Sequence, residues 1–567
     1  MELLKCRQFI FLIGFFLFLI VGLIIFPGGA VIAANYGDVV NFNVDKNFDA
    51  SARTQLSATL IKTTKNFYFY VEKSWWDVQP LTKQTDVLLG LDNLSLEFDN
   101  KIHPTLTSVY GSEWKPGVDG DDKITILFEA MNSSEAGYFR EADEYVKLQI
   151  PTSNEREMLY LSLDRIDDSQ LKIILAHEFV HLITFNQKNK IFNVEDDTWL
   201  NEARADFSST ILDYDDKYAD SNLNQRVSDF IENSSDSITE WTGTKNDYAS
   251  VSMFTHYLVD HYSVSTLIDS LKSKHVGIES INYALRKNGF EADFAKIFTD
   301  WTIASILNNC SVDQKYCYLS QNLKNFRLAP AINFLPVSGD VSLSVTNVTK
   351  SWTGNWLKFI GGNGELKFNF SSLNGITFKV PYILQDSAGA FTVKFLALND
   401  ENKGEINLSK FGANYKSLII IPSLQSQIYK TDDLEPTYPY SYMVSITGAS
   451  QTNNQTIIQQ LLDRIAELKK EIAKLQNLKN NGLGLPYCGQ LNSNLYMGIM
   501  NDDNVRCLQQ FLKEQGVNVY PEGLVTGNFG NLTKQAVVRF QAKYGILQTG
   551  FVGPLTRNKI NSILNAR

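Results

Sequence analysis

The most chemically informative stretch of the sequence is the run HEFVH at 177–181. Two histidines four residues apart on a helix project from one face, so both imidazoles can reach one metal ion. Glu178 is turned away from them by about 100° of helix and can hold a water over an open coordination position. In this HExxH arrangement zinc lowers the pKa of a bound water, and the carboxylate accepts its proton.

The surroundings of this run favour a real metal site over a chance match. The alternative is an amphipathic helix with two incidental histidines. The apolar segments 171–176 and 182–183 predict a buried helix instead. A glutamate and two histidines buried there need partners or a metal, because uncompensated buried charge is costly.

A second segment, WLNEARAD at 199–206, offers the missing ligand. A zinc site with an open position needs a third protein ligand, which Glu202 could supply from a second helix. Asp206 lies one turn later on the same face and could accept the free ring N–H of His177, fixing its tautomer. The competing interpretation is an ordinary helix with solvated Glu202, Arg204 and Asp206. Asn-Glu-x-x-x-Asp at this distance after HExxH favours the zinc site.

The two motifs together resemble the gluzincin metallopeptidases, and the string HEFVHLITFN…WLNEARADF is similar to the hyicolysin-type bacterial peptidases. The resemblance covers roughly residues 36 to 325 and is weaker outside the motifs. It implies one zinc ion held by His177, His181 and Glu202, with Glu178 as the general base. It also implies an α+β fold with a cleft between a strand-containing lobe and a helical lobe.

Peptide hydrolysis also needs a donor that stabilises the oxyanion of the tetrahedral intermediate. The candidates are Tyr248, at the start of a predicted helix, and His256 and His261 further along it. Related gluzincins use a tyrosine or a histidine, and we predict Tyr248. The competing interpretations are helix-start packing for the tyrosine and a half-buried or solvated position for each histidine.

Composition sets broad limits on the 567-residue chain. A hydrophobic content of 44%, 12% aromatic residues and a net charge of −10 are ordinary for a globular protein of several domains. No basic run is interleaved with aromatic residues, so nucleic acid is not a predicted partner.

The N-terminus predicts the compartment. Lys5 and Arg7 precede an apolar run from Phe9 to Phe26, and small residues follow it up to Ala34. This pattern predicts an export signal in residues 1–34, which is either cleaved or kept as a signal anchor, the only predicted membrane contact. The predicted location is therefore extracellular or in the cell envelope of a bacterium.

The cysteine positions agree with export. Cys310 and Cys317 lie close together, as do Cys488 and Cys507, and each pair falls within one predicted domain. We expect two local disulfides, which an oxidising compartment permits. A zinc site of four thiolates is the alternative, although neither pair has CxxC spacing, and buried free thiols are the third possibility.

Residues 335–448 follow the peptidase-like region, 35–330, and alternate apolar and polar residues between turns rich in Gly, Asn and Ser. This predicts a β-sandwich-like domain that packs on the peptidase, binds a partner or acts as a spacer. The segment 449–484 combines a polar linker with a heptad pattern from Ile458 to Leu475, which predicts a coiled coil and a possible homodimer. Intramolecular packing or an isolated spacer helix remains open.

An acidic cluster, Asp119-Gly-Asp-Asp122, precedes a predicted strand. Oxygen-rich clusters of this kind can bind calcium. The spacing does not fill an EF-hand loop, so we interpret the cluster as a turn.

The last predicted domain spans 485–567. The segments VRCLQQFL, TGNFG, LTKQAVVRFQAKYGI and TGFVGPLTR within it closely resemble the small three-helix peptidoglycan-binding domain of bacterial wall enzymes. The resemblance implies peptidoglycan as a partner. Most of the matching residues shape turns and fill the core, so they indicate the fold more firmly than the binding.

The chain is therefore predicted to be a multidomain, exported zinc metalloendopeptidase. It would hydrolyse peptide bonds of proteins and be held at the cell wall by its last domain. Two alternatives are an inactive wall-binding or adhesive protein and a zinc peptidase that acts on the peptide cross-links of peptidoglycan.

Overall fold

The computed structural model describes two compact units, Met1–Ile457 and Ile458–Arg567. The described residues are 35–132, 135–337, 339–426, 435–447, 465, 466, 469 and 490–564 without 492, 498, 500 and 501. The predicted export signal and nearly all of the predicted coiled coil lie outside them and stay predictions. No helix within the described ranges is long and apolar enough to span a membrane.

The first unit begins with a mixed sheet whose strand order is β1-β2-β3-β4-β6-β5. Strands β3, β4 and β6 run parallel, and the other pairs are antiparallel. The aromatic run at 67–71 forms a buried strand, as its composition predicts. The strands are β1 Val39–Asn43, β2 Gln55–Thr63, β3 Phe67–Glu72, β4 Ile124–Glu129, β5 Gly137–Phe139 and β6 Met158–Ser162.

Helices cover the sheet and then make up most of residues 155–325, as the sequence predicts. The central helix, Leu171–Thr184, is apolar on nearly every face and is buried accordingly. The helices are α1 Lys73–Trp76, α2 Leu81–Glu97, α3 His103–Tyr110, α4 Leu171–Thr184, α5 Thr198–Ile211, α6 Asn222–Glu232, α7 Lys245–Tyr262, α8 Ser265–Leu271, α9 Gly277–Lys287 and α10 Phe294–Leu307.

The second sheet begins at Ala331, slightly before the predicted boundary at Leu335. Two groups of strands, β8-β17-β10-β14 and β13-β12-β15-β9-β7, meet where β14 and β15 pair briefly at Phe411 and Tyr415. Their apolar faces share one core, in which Phe359 packs on Phe368 at 5.9 Å between ring centroids. The prediction of a β region is thus confirmed, and nine of the strands are joined in one sheet; the sandwich-like packing itself stays a prediction. The strands are β7 Ala331–Leu335, β8 Val341–Thr349, β9 Leu357–Gly361, β10 Gly364–Ser372, β11 Phe378–Lys379, β12 Pro381–Asp386, β13 Phe391–Phe395, β14 Lys403–Phe411, β15 Tyr415–Ile420, β16 Ser423–Leu424 and β17 Tyr438–Thr447.

The β region and the helical region share a second core. Trp352 packs against Phe294 and Phe298 with ring centroids 4.9 and 5.4 Å apart. The Trp356 indole N–H donates to the Thr302 carbonyl at 2.8 Å. Both tryptophans are almost fully buried. The sequence left three roles open for the β region: packing on the preceding region, binding a partner or acting as a spacer. The structure shows that the β region packs on the helices that precede it.

The second unit contains α11 Asp503–Glu514, α12 Asn531–Lys543 and α13 Pro554–Leu564 around its own apolar core. Two similar turns precede α12 and α13, and a buried glutamine organises each. Gln509 donates to the Thr526 and Thr533 hydroxyls and accepts from the backbone N–H of Gly527 at 2.8 Å. Gln541 repeats this pattern in the second turn. The TGNFG and TGFVG segments are thus fixed from inside the domain.

The disulfide prediction is confirmed for one pair. Cys310 and Cys317 are joined directly after α10. Cys507 is disulfide-bonded, but its predicted partner Cys488 lies outside the described residues, so that pairing stays a prediction.

Candidate metal centre

Helix α4 directs both histidines of the HEFVH run toward Glu202 of helix α5. The His177 and His181 rings lie 5.0 Å apart between centroids, as expected for positions separated by one helical turn. Leu175, Phe179 and Val180 on the other faces of α4 are fully buried. The apolar packing of the helix therefore fixes where the two imidazoles point.

Helix α5 is fixed by a buried charge that the sequence did not reveal. Arg204 is inaccessible to solvent and pairs with Asp196 at 2.9 Å, while donating to the Ser270 hydroxyl at the same distance. The competing interpretation of this segment, with a solvated Arg204, therefore does not hold for that residue. This buried pair anchors α5 and leaves Glu202 and Asp206 on the face toward α4.

The three predicted ligands converge. Nε2 of His177 lies 3.1 Å from Oε2 of Glu202, and Nε2 of His181 lies 3.6 Å from Oε1. One ligand atom from each side chain lies within 4.8 Å of the others. The side chains are 14–18% exposed, so the cluster is accessible from solvent.

The electrostatics of the cluster keep Glu202 ionised between the two imidazoles. Burial opposes ionisation of Glu202, but the two imidazoles outweigh it and lower its pKa. Burial also opposes protonation of His177, but the hydrogen bond and charge of Glu202 raise its pKa to about 9. Burial lowers the pKa of His181 to about 4, so this ring is neutral and can donate its lone pair. A carboxylate between two imidazoles matches the His₂Glu donor set of catalytic zinc.

Glu178 lies beside the cluster at the edge of the first sheet. Its side chain is 5% exposed, and burial raises its pKa to about 8 against the opposing charge of His177. Its Oε1 approaches Gly137 of β5 so closely that an added Cβ would lie 3.0 Å away. A glycine at this position leaves room for the carboxylate, a contact that local sequence patterns could not predict.

Tyr248 lies near the cluster, at the start of α7. Its ring centroid is 6.4 Å from that of His177, and Trp241 packs edge-on against it at 4.8 Å. The Arg226 guanidinium carbon lies 4.6 Å from the centroid of the Tyr248 ring. Burial raises the pKa of Tyr248, so its phenol keeps its proton and can donate a hydrogen bond.

Asp206 is bound differently from the prediction. Its Oδ1 accepts from Arg226 at 2.9 Å and from Asn222 at 2.8 Å. Among the described residues no hydrogen bond joins it to His177, and the two interact only through their charges. The reason is that α6 places Arg226 and Asn222 against Asp206. Arg226 therefore links Asp206 to Tyr248, a role that sequence reasoning missed.

The other two histidines of α7 lie outside the cluster. His256 is buried against Phe207 and lies 3.5 Å from the Thr210 hydroxyl. A ring nitrogen of His261 lies 2.9 Å from the Cys317 carbonyl, at the far end of α7. Their contacts lie within the helical core and at the disulfide, so Tyr248 is the candidate donor that the structure places beside the cluster.

Comparison with known proteins identifies one region. The sequence profile of the family "Putative peptidoglycan binding domain" matches residues 501–560. This supports the resemblance predicted for the three-helix unit. No curated protein matches the chain.

Two solved structures illustrate the likeness to known folds. The pre-peptidase C-terminal domain of collagenase from Bacillus anthracis is 12% identical, with 20% of this chain and 96% of that chain covered and a TM-score of 0.14. The periplasmic lysozyme inhibitor PliG from Aeromonas hydrophila is 14% identical, with 21% and 100% covered and a TM-score of 0.13. At such low TM-scores neither carries an argument about this chain. The family match therefore concerns a domain at residues 501–560 and not the chain as a whole.

Proposed function

We propose that the chain is an exported zinc-dependent endopeptidase that hydrolyses peptide bonds of proteins at the bacterial cell wall. The observation that carries the proposal is the convergence of His177, His181 and Glu202 within 4.8 Å, with Glu178 beside them. A bound zinc ion would supply Lewis-acid activation of water and of a carbonyl oxygen. The three converging side chains would hold it.

The roles of the remaining residues follow from their positions. Glu178 takes a proton from the attacking water and delivers it to the departing amine, as a buried general base of raised pKa can. The Tyr248 phenol donates to the developing oxyanion. Arg226 and Trp241 hold its ring from two sides.

The position of strand β5 favours a peptide as the substrate. Among the described strands it is an edge of the first sheet, paired with β6 alone, and its Gly137 lies directly beside Glu178. An exposed strand edge can bind an extended peptide through backbone hydrogen bonds. A substrate added to β5 would run past the general base.

Wall association is suggested by the family match at residues 501–560. If it is correct, the full-length protein will pellet with purified wall sacculi and a chain ending at residue 484 will not. Equal pelleting of both proteins would defeat the anchoring proposal.

The catalytic proposal is tested with Glu178→Ala. We expect this variant to bind zinc like the wild type and to lose at least about 100-fold of its activity on an unfolded protein substrate. Glu232→Ala, on the exposed face of α6, is the matched control and should keep full activity. Full activity of Glu178→Ala would remove this glutamate from the mechanism.

The same family match at residues 501–560 favours a second candidate substrate, the peptide cross-links of peptidoglycan. Release of soluble peptides from sacculi, without cleavage of a protein substrate, would assign the chemistry to peptidoglycan cross-links. Absence of both activities in zinc-loaded protein would favour an inactive wall-binding protein.

A further inference from the structure

The connection between α6 and α7, residues 233–244, approaches the candidate metal centre through Trp241. The Trp241 ring packs edge-on against Tyr248, with 4.8 Å between the ring centroids and 78° between the ring planes. The Tyr248 ring in turn lies 6.4 Å from that of His177 between centroids. Movement of this connection would therefore change the packing around the proposed oxyanion donor.

The backbone of the α6–α7 connection is paired with the β region. Ser237 and Thr353 form an isolated antiparallel β-bridge. The Ile238 N–H donates to the Trp352 carbonyl at 3.1 Å, and the Ile238 side chain is fully buried. The Trp352 N–H donates to the Leu424 carbonyl of β16 at 2.8 Å. The backbone just before Trp241 is thus attached to the strands of the β region.

A buried carboxylate reinforces this attachment one residue before Trp241. Glu240 is only 3% exposed, and an isolated charge is costly to bury. Its Oε2 pairs with the Lys350 ammonium, and its Oε1 accepts from the Glu435 N–H at 2.8 Å. Lys350 directly follows β8, and Glu435 precedes β17. Both carboxylate oxygens of Glu240 are therefore bound by donors from the β region.

The segments that hold this carboxylate are also joined to each other. The Ser351 N–H donates to the Glu435 carboxylate at 3.1 Å, which connects the chain after β8 to the chain before β17. Within the α6–α7 connection, the Glu240 N–H donates to the Ser237 hydroxyl at 3.1 Å. The hydrogen bonds therefore form one network that reaches from the β region to the residue before Trp241.

Tyr248 also has a contact that does not involve the β region. The Arg226 guanidinium of α6 lies 4.6 Å from the ring centroid and pairs with Asp206 of α5. Two different parts of the first unit thus contact the Tyr248 ring: helix α6 through Arg226, and the α6–α7 connection through Trp241. The second contact can be altered at Lys350, which is not a proposed zinc ligand.

We propose that the β region positions the oxyanion donor of the proposed peptidase. Lys350 and Glu435 hold Glu240, and the bound carboxylate fixes Trp241 against the Tyr248 ring. Lys350 is thus a positioning residue that acts through Trp241. The inference rests on the function proposed above and gives the β region a role in catalysis beyond packing. Removal of the ammonium would leave the buried carboxylate poorly compensated, so the connection would move toward solvent.

Lys350→Met tests the proposal, because it removes the ammonium and keeps most of the alkyl volume. In the zinc-loaded full-length protein we expect kcat on an unfolded protein substrate to fall by about 10-fold, less than the roughly 100-fold cost of deleting an oxyanion donor. KM and zinc affinity should stay within about twofold of the wild type, since the oxyanion forms only in the transition state. Lys350→Arg keeps the positive charge and should restore most of kcat.

Double-mutant cycles show whether the effect passes through the two rings. In a Trp241→Ala or a Tyr248→Phe background, Lys350→Met should lower kcat by less than about twofold more. Lys367→Met is the matched control, because it breaks an exposed ion pair with Glu405 elsewhere in the β region. This control should behave like the wild type in every measurement.

Hydrogen–deuterium exchange supplies a readout that does not depend on activity. Lys350→Met should speed amide exchange across residues 237–248 by at least about fivefold and leave exchange in helix α4 unchanged. The proposal is overturned if the variant leaves either kcat or this exchange unchanged. It is also overturned if the loss of kcat is as large in the Tyr248→Phe background as in the wild type.

Two further outcomes are kept distinct. If the zinc-loaded wild type has no peptidase activity, the proposed function fails, and the exchange result alone decides whether the β region holds the α6–α7 connection. Should Lys350→Met fail to fold, Glu240→Gln decides by the same measurements, because its amide oxygen can still accept from the Glu435 N–H.

Discussion

Two regions of the molecule carry motifs visible in the sequence, and the motif residues are used differently in each. In the candidate metal centre, His177, His181 and Glu202 turn their polar atoms toward one another and are 14–18% exposed. In the C-terminal unit, Gln509 and Thr533 are 1–2% exposed and bind the turn beside them. A motif of the first kind indicates chemistry, whereas one of the second kind indicates a fold. Substitutions should therefore cost function in the first region and stability in the second.

The largest expected effect tests the first half of this comparison. His181→Ala removes one of three proposed ligands, so we expect zinc affinity to fall by more than about 100-fold, beyond the effect of outer-sphere changes. Unfolding of the zinc-free protein should change little. A competition titration with a zinc chelator measures the affinity, and His275→Ala is the matched control. Unchanged zinc binding by His181→Ala would break the comparison.

The second prediction tests the C-terminal unit. Gln509→Ala leaves the Gly527 N–H and neighbouring hydroxyls without their partner, so the free energy of unfolding of this unit should fall by about 2 kcal/mol. Differential scanning calorimetry of the full-length protein measures it, and zinc affinity should not change. The neighbouring Gln510→Ala should stay within about 0.5 kcal/mol of the wild type. Similar effects of both substitutions would show that the buried glutamine does not hold the turn.

Asp206→Asn compares a residue beside the candidate metal centre with a proposed ligand of it, His181. Asp206 acts on the centre through its charge and through Arg226, not as a proposed ligand. We expect a loss of about 10-fold in zinc affinity or turnover, at the low end of outer-sphere effects. A loss as large as that of His181→Ala would instead make Asp206 a direct ligand.

The last prediction concerns Glu129, a buried carboxylate outside both motifs, where the expected effect is on stability alone. Burial raises its pKa to about 8, although the Tyr138 hydroxyl donates to it at 2.7 Å. The folded state thus holds this proton more tightly than the unfolded state, so stability is full below about pH 4.5 and falls as the pH rises toward about 8. Glu129→Gln removes that loss, so it should stabilise the protein by several kcal/mol at pH 9 and by nothing at pH 4. Urea unfolding at the two pH values measures it, and equal effects at both would contradict the assignment.

The sequence predicted the features that depend on local spacing. The separation of His177 and His181 by one helical turn placed them on one face, and the alternating pattern from residue 335 predicted the second sheet. The convergence of Glu202 could be anticipated only because the motif spacing suggested a second helix. The first two of these predictions use residues that are close together in the chain.

Features that depend on contacts between distant segments were missed. Arg226 reaches Asp206 from another helix, and Gly137 meets Glu178 from a strand far earlier in the sequence. The hydrogen bond predicted from His177 to Asp206 failed for the same reason, since Arg226 and Asn222 are closer partners. Side-chain partners across the fold cannot be read from periodicity.

The tryptophans shared between the β region and the helices have a practical consequence. Trp352 and Trp356 lie beyond residue 330, yet they complete the packing around Phe294 and Phe298 of α10. A recombinant fragment that stops at the end of the helical region, near residue 330, would expose this aromatic surface and be prone to aggregate. Crystallisation or enzymology of the first unit should therefore use a fragment that extends at least to residue 447.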